Sequence, residues 1–174
     1  LIYIINHAND KILIVDLDLV PIIDKIILDC PNIEKLVILC SKADLPSTKF
    51  SEVISYEELL SMGSENFEWI KGEETDACGI CYTSGTTGNP KGVVYTHRSN
   101  TLHALTQAAP DMLNLSSTDT IMPVVPLFHA NGWSIAYTAP LVGSSIVFPG
   151  GDLSPSSLYD LSLIHISEPT RPLY

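Results

Sequence analysis

The spacing of apolar and polar positions changes several times along the chain. Lys11 to Val15 is a short run dominated by Ile and Val, following the turn-like Asn6-His7-Ala8-Asn9-Asp10, and it predicts a buried strand. Ile22, Ile23, Ile26 and Ile27 then recur at helical spacing, with Pro21 near the start where its fixed φ and missing N–H do least harm. That segment predicts an amphipathic helix. Leu36 to Cys40 repeats the strand signature. Strand, helix and strand within about 30 residues is the scale of one βαβ unit. The pattern therefore predicts an α/β fold with parallel strands and flanking helices. From Ser41 to Thr75 the periodicity fades into polar loop, with one short helix near Tyr56 to Met62.

Further on, Ala77 to Thr83 predicts a strand running into a Ser/Thr/Gly/Pro loop, and Val93 to Thr96 predicts the strand that leaves it. His97 to Ala109 suits a helix stopped by Pro110. Ile121 to Val125 reads as a strand ended by Pro126, although Pro123 cannot donate to a ladder. Trp133 to Val142 suits a helix limited by Pro140, and Ser145 to Phe148 a strand before the Pro149-Gly150-Gly151 turn.

Composition narrows the class. The chain has 174 residues, 45% hydrophobic and 17% charged, which excludes a disordered or low-complexity chain and matches about one domain. Asp10, Lys11, Asp16, Asp18 and Asp24 interrupt the aliphatic N-terminus, so no apolar run approaches the roughly 18 residues of a membrane span. The net charge of -11 opposes contact with a nucleic-acid backbone. Residues 1 to 76 hold 15 acids against 6 bases, whereas residues 77 to 174 hold only 5 against 3. Gly, Ser, Thr and Pro concentrate in the second part, which is where chemistry is expected.

The most informative stretch is Tyr82-Thr83-Ser84-Gly85-Thr86-Thr87-Gly88-Asn89-Pro90-Lys91-Gly92. Glycines let the backbone approach a ligand, hydroxyls and N–H groups donate to oxyanions, and one Lys adds a point charge, so the residues suit a polyphosphate. The Walker A pattern does not fit, because Pro90 precedes Lys91 and Gly92 follows it. The dinucleotide fingerprint does not fit either, since the Gly spacing differs and a strand follows where a helix should open. An ordinary surface loop is the plain alternative, with Lys91 a solubilising residue.

This string resembles the phosphate-binding signature of the adenylate-forming superfamily, which includes acyl-CoA synthetases, peptide-synthetase adenylation domains and luciferases. Pro126-Leu127-Phe128-His129-Ala130-Asn131-Gly132-Trp133 resembles the next characteristic block, in the right order. Tyr95-Thr96-His97-Arg98-Ser99-Asn100 and Val124-Val125-Pro126 are most similar to the branch of medium- and long-chain fatty acid CoA ligases and methylmercaptopropionate CoA ligases. The resemblance covers roughly residues 1 to 160 and implies part of the large N-terminal domain of such an enzyme.

The implied reaction uses ATP with Mg²⁺ and a small-molecule carboxylic acid to form an acyl-adenylate and pyrophosphate. Coenzyme A thiol then displaces AMP. In that scheme Thr83, Ser84, Gly85, Thr86, Thr87, Gly88 and Lys91 grip the phosphates, with Lys91 and Thr87 acting in catalysis and Thr83 near Mg²⁺. His129 and Trp133 line the acyl site. His129 needs no role as a base, because the attacking carboxylate is already ionised near neutral pH. Trp133 has two readings, a wall of the acyl tunnel or a packed core aromatic. A carrier protein in place of coenzyme A as acceptor is a second reading of the whole, and an inactive fragment is a third.

Cys78 and Cys81 form a C-x-x-C, a spacing also used by metal and redox sites. On a strand, side chains three apart face opposite sides, which suits a shared metal poorly. The four cysteines are expected to be buried thiols in a reducing cytoplasm. The chain opens Leu1-Ile2-Tyr3 without an initiator Met and reads as open-ended. Leu161 to Arg171 resembles the in-frame translation of a transposase-type sequencing adapter, so residues 161 to 174 are expected to lie outside the native fold, His165 and Arg171 included. A short strand over Leu161 to Ile166 is the alternative. A C-terminal domain is expected to be absent from the chain.

Overall fold

The computed structural model describes residues 1–83 and 88–167. These fall into two compact units. The first contains Leu1–Lys71 with Tyr82–Gly92, and the second contains Gly72–Cys81 with the chain from Val93 onward.

The first unit is built on a parallel sheet of β1 (Ile12–Asp16), β2 (Lys35–Leu39) and β3 (Val53–Ser55), in that order. Ile12 lies opposite Lys35, Asp16 opposite Leu39, and Leu36 opposite Val53. The central strand β2 is buried on both faces, with Leu36 and Ile38 at 0% exposure and Val37 at 1%, as a covered parallel strand requires. Helix α2 (Val20–Ile26), with Pro21 in its first turn, makes the crossover and seats Val20 and Ile23 in the core; the following 3₁₀ turn adds Ile27. The predicted βαβ unit is therefore present. Two elements escape the pattern. The turn-like Asn6–Asp10 is instead the end of a helix, α1 (Ile2–Ala8), closed by Asn9 in the left-handed conformation (φ 58°) that Asn tolerates. The Ser41–Thr75 loop also contains β3, too short to show an alternation. Ser55 caps the next helix, α3 (Tyr56–Ser61), by accepting from the Glu58 N–H at 3.2 Å.

Strand β4 (Ala77–Tyr82) is hydrogen-bonded to β5 (Gly92–Thr96), and both strands apart from Tyr82 and Gly92 belong to the second unit. Helix α4 (His97–Ala108) follows without a break, because Thr96 and Ser99 form a reciprocal capping box: Thr96 Oγ1 accepts from Ser99 N–H at 3.1 Å and Ser99 Oγ from Thr96 N–H at 2.9 Å. Ala109 ends the helix in extended conformation (ψ 152°), the geometry favoured before Pro110. Helix α4 packs on α6 (Ile135–Val142), where Ala104 and Ala139 are almost wholly buried. Leu115, Ile135 and Ala139 form a small core joined by Leu113, Ile121, Val125, Val142 and Ile146.

Three expectations are corrected here. The strand expected over Ile121–Val125 is the two-residue β6 (Thr120–Ile121), because Pro123 and Pro126 remove ladder donors. It pairs in parallel with β7 (Ser145–Ile146), shorter than the expected Ser145–Phe148, although Val147 N–H still donates to Ile121 C=O at 2.9 Å. The helix expected from Trp133 starts at Ile135. Its first residues are instead a separate turn, α5 (Ala130–Trp133), with positive φ throughout. At the far end, Ser154 caps helix α7 (Pro155–Ser162), which runs on into a π-helical turn, Leu163–Ser167, so the alternative strand over Leu161–Ile166 is not formed.

Candidate active site

Strand β4 delivers Tyr82 and Thr83 to the mouth of the Ser/Thr/Gly/Pro loop, and β5 begins again at Gly92. The neck is closed by one backbone hydrogen bond, Thr83 N–H to Lys91 C=O at 2.9 Å. Lys91 is exposed, as is Gly88, whose φ of 146° suits glycine and whose missing Cβ faces open space. Thr83 is also exposed. Ser84, Gly85, Thr86 and Thr87 lie outside the described residues. The strand–loop–strand arrangement departs from a P-loop or Rossmann turn, where a helix N-terminus supplies the anion site.

The second block is organised by backbone conformation. Ala130, Asn131, Gly132, Trp133 and Ser134 have φ of 47°, 55°, 60°, 57° and 67°, a left-handed turn with a single glycine. Each non-glycine residue there costs about 1–2 kcal/mol, a strain of the kind concentrated at functional sites. Local hydrogen bonds hold the turn: His129 N–H to Pro126 C=O and Gly132 N–H to His129 C=O, both at 3.0 Å. Asn131 contributes its side chain as well, because Cys81 Sγ donates to its Oδ1 at 3.6 Å. The turn leaves His129 exposed and Trp133 at 52% exposure. Beside this block, Pro123, Val125, Leu127, Phe128, Phe148 and Leu153 help to enclose an apolar cavity of about 380 Å³. His129 and Trp133 are not among its lining residues.

These two blocks can be set against known proteins. A model of the AMP-binding enzyme family matches residues 1–170. The chain is 46% identical over 159 residues to a medium-chain-fatty-acid CoA ligase of Ectopseudomonas oleovorans, covering 91% of this chain and 29% of that protein. It is 39% identical over 161 residues to a 3-methylmercaptopropionyl-CoA ligase of Ruegeria pomeroyi, covering 92% and 30% respectively. The chain belongs to the AMP-binding enzyme family. Among solved structures, an anthranilate CoA ligase in complex with anthranoyl-AMP superposes with a TM-score of 0.75 at 24% identity, over 95% of this chain and 31% of that one, a likeness of fold. This member of the AMP-binding family thus spans less than a third of the length of these relatives.

The cysteines correct another expectation for this AMP-binding chain. Only Cys30 is buried; Cys40 and Cys81 are half-buried and Cys78 is exposed. Burial, with Asp29 nearby, pushes the Cys30 thiol up. Cys78 and Cys81 find separate partners, Cys78 lying 3.1 Å from Asn100 Nδ2 and donating to Tyr95 C=O at 3.5 Å. Among the described residues, no group of three or more His, Cys, Asp and Glu is placed to hold a metal ion, and no helix is long and apolar enough to cross a membrane.

Three other features leave no signal in the residue pattern. His7 Nδ1 lies 2.7 Å from the Tyr82 hydroxyl. Cys78, His97, Asn100, Thr101 and Tyr137 border a cavity of about 600 Å³ beside α4. Arg98 pairs with Glu74 and its N–H donates to Glu74 C=O at 2.7 Å, tying the start of α4 to the preceding segment.

Proposed function

We propose that the chain is the phosphate-loop-bearing part of an ATP-dependent acid–CoA ligase acting on fatty-acid-type carboxylic acids in the cytoplasm. Residues 1–160 form part of its N-terminal adenylation domain, and residues 161–174 lie outside the native protein. The carboxylate attacks the α-phosphate of ATP, the O–P bond to pyrophosphate breaks, and the acyl-adenylate is then cleaved by the thiol of coenzyme A with release of AMP.

The observation that carries this reading is the Thr83–Lys91 neck between paired strands, inside a chain 46% identical to a medium-chain-fatty-acid CoA ligase. Phosphoryl chemistry of this type rests on positioning and on neutralising the departing charge. Thr83, Ser84, Gly85, Thr86, Thr87 and Gly88 supply hydroxyl and N–H donors around the β- and γ-phosphates. Lys91 places its ammonium there, its exposure leaving it free to reach the ligand. The exposed Thr83 hydroxyl fits a cation carried in by the nucleotide, since Mg²⁺ commonly keeps waters and phosphate oxygens in its shell. Mg²⁺ there would supply charge neutralisation to the phosphates. The apolar cavity bordered by Leu127, Phe128 and Phe148 suits an aliphatic tail, and His129 and Trp133, which follow Phe128 in the chain, would line the acyl site from the adjoining turn.

The test is ATP–pyrophosphate exchange in the full-length ligase over saturated acids of increasing length, followed by thioester formation on coenzyme A. Exchange that depends on acid, with thioester formed on coenzyme A, is the expected result. Exchange without thioester on coenzyme A, but with loading of a carrier protein, would replace the acceptor.

A further inference from the structure

The strongest unassigned contact lies at the base of the phosphate loop. Tyr82 is the last residue of β4 and adjoins Thr83, whose N–H closes the neck onto Lys91 C=O at 2.9 Å. Its hydroxyl meets His7 Nδ1 at 2.7 Å, a short separation for a hydrogen bond to nitrogen. The two rings also pack edge to face, with centroids 5.8 Å apart at 84°.

His7 is itself braced. Tyr3, one turn earlier on α1, stacks on its ring at 5.2 Å and 27°. Helix α1 is pinned by Ile5, which is 5% exposed in the core, and by Asn6 Nδ2, which donates to Asp29 C=O at 2.9 Å. The imidazole is exposed, but its stacking on Tyr3 and its contact with Tyr82 hold the ring in place on an anchored helix. Tyr82–Gly92 belongs to the same compact unit as that helix, although the rest of β4 does not.

We propose that His7 is a positioning residue for nucleotide binding: it holds Tyr82, and through Tyr82 the Thr83–Lys91 neck, in the geometry that receives the ATP phosphates. This rests on the ligase reading above. The bond survives either charge state of the imidazole, since the phenol donates to a neutral Nδ1 and a protonated Nδ1 donates to the phenol oxygen. Burial, and then Tyr3 and Asp10, push the Tyr82 hydroxyl up, so it remains a neutral phenol at physiological pH.

The experiment measures ATP–pyrophosphate exchange in the full-length ligase for His7→Ala, His7→Asn, Tyr82→Phe, the His7→Ala/Tyr82→Phe double variant and Lys91→Ala. Tyr82→Phe removes one oxygen and keeps the ring, so a folded protein is available even if His7→Ala is poorly soluble. His7→Ala and Tyr82→Phe should each raise the KM for ATP roughly fivefold, the scale of one net hydrogen bond, without changing the KM for the acid. The double variant should match either single one, because both remove the same interaction. Asn places an amide where Nδ1 stood, so His7→Asn should stay within about twofold of the parent. Multiplying effects in the double variant, or equal rises in both KM values, would overturn the proposal. If Lys91→Ala raises the KM for ATP and Tyr82→Phe does not, the positioning role fails and the ligase reading stands. If Lys91→Ala also leaves it unchanged, the positioning role and the phosphate role of the loop both fail, while the ligase reading is decided separately by whether exchange depends on acid.

Discussion

Cys81 Sγ donates to Asn131 Oδ1 at 3.6 Å, joining the strand that leads into the Ser/Thr/Gly/Pro loop to the left-handed turn of the second block. Asn131 therefore serves twice, as a backbone that accepts φ 55°, ψ 40° and as a side-chain partner. The two roles separate by substitution. Asn131→Ala should destabilise by about 1–2 kcal/mol, because Ala resists this conformation, whereas Asn131→Gly should cost less although it removes the same side chain. Urea midpoints of the two variants check the order, and a less stable glycine variant would contradict the backbone argument.

The phosphate loop is tested by charge and by hydroxyl. Lys91→Ala and Thr87→Ala should each lower adenylation roughly a hundredfold, the usual scale for losing one group that stabilises developing charge. Initial rates of pyrophosphate exchange at saturating acid measure this. Unchanged rates in both variants would remove the loop from the mechanism.

Trp133 offers a contrast between stability and specificity. At 52% exposure it contributes little to the core, so Trp133→Ala should move the unfolding midpoint by no more than about 0.5 kcal/mol. It should nevertheless shift the preferred acyl chain length. A panel of saturated acids, compared by kcat/KM, reads the shift; a large loss of stability with an unchanged profile would return Trp133 to a packing role.

Asp119 links stability to pH. The Ser116 hydroxyl and N–H both donate to its Oδ2 at 2.7 Å, and these bonds hold its carboxyl below the ordinary aspartate value. A carboxyl depressed in the folded state contributes stability that is full above its unfolded value of about 3.9 and is lost as pH falls through the lower folded value. Asp119→Asn should therefore lower the thermal midpoint at pH 7 and lower it less at an acid pH well below the ordinary aspartate value. Equal losses at both pH values would point to shape rather than charge.

The βαβ core was legible because its strands are uninterrupted aliphatic runs and its helix keeps a four-residue isoleucine spacing. β3 was hidden, since three residues carry no period. Helix α1 was masked by Asn6 and Asn9, which read as turn residues although only Asn9 adopts a turn conformation. In the candidate site, the Tyr82–Gly92 string stood out through residue type. The left-handed turn did not, because one glycine in five residues gives no warning that its neighbours share the same φ. The His7–Tyr82 bond spans 75 positions and leaves no local trace.

The Thr96–Ser99 capping box has a consequence for length variation. Strand β5 is fixed at one end by the Thr83–Lys91 bond and at the other by the helix cap, with only Gly92–Thr96 between them. An extra residue inside β5 would turn Val94 and Tyr95 to the opposite face of the strand, since strand side chains alternate with a period of two. An extra residue between Thr83 and Lys91 would instead lengthen the loop and leave both fixed points where they are. The cap thus confines insertions and deletions in this part of the chain to the segment between Thr83 and Lys91, where length can change without shifting the register of β5.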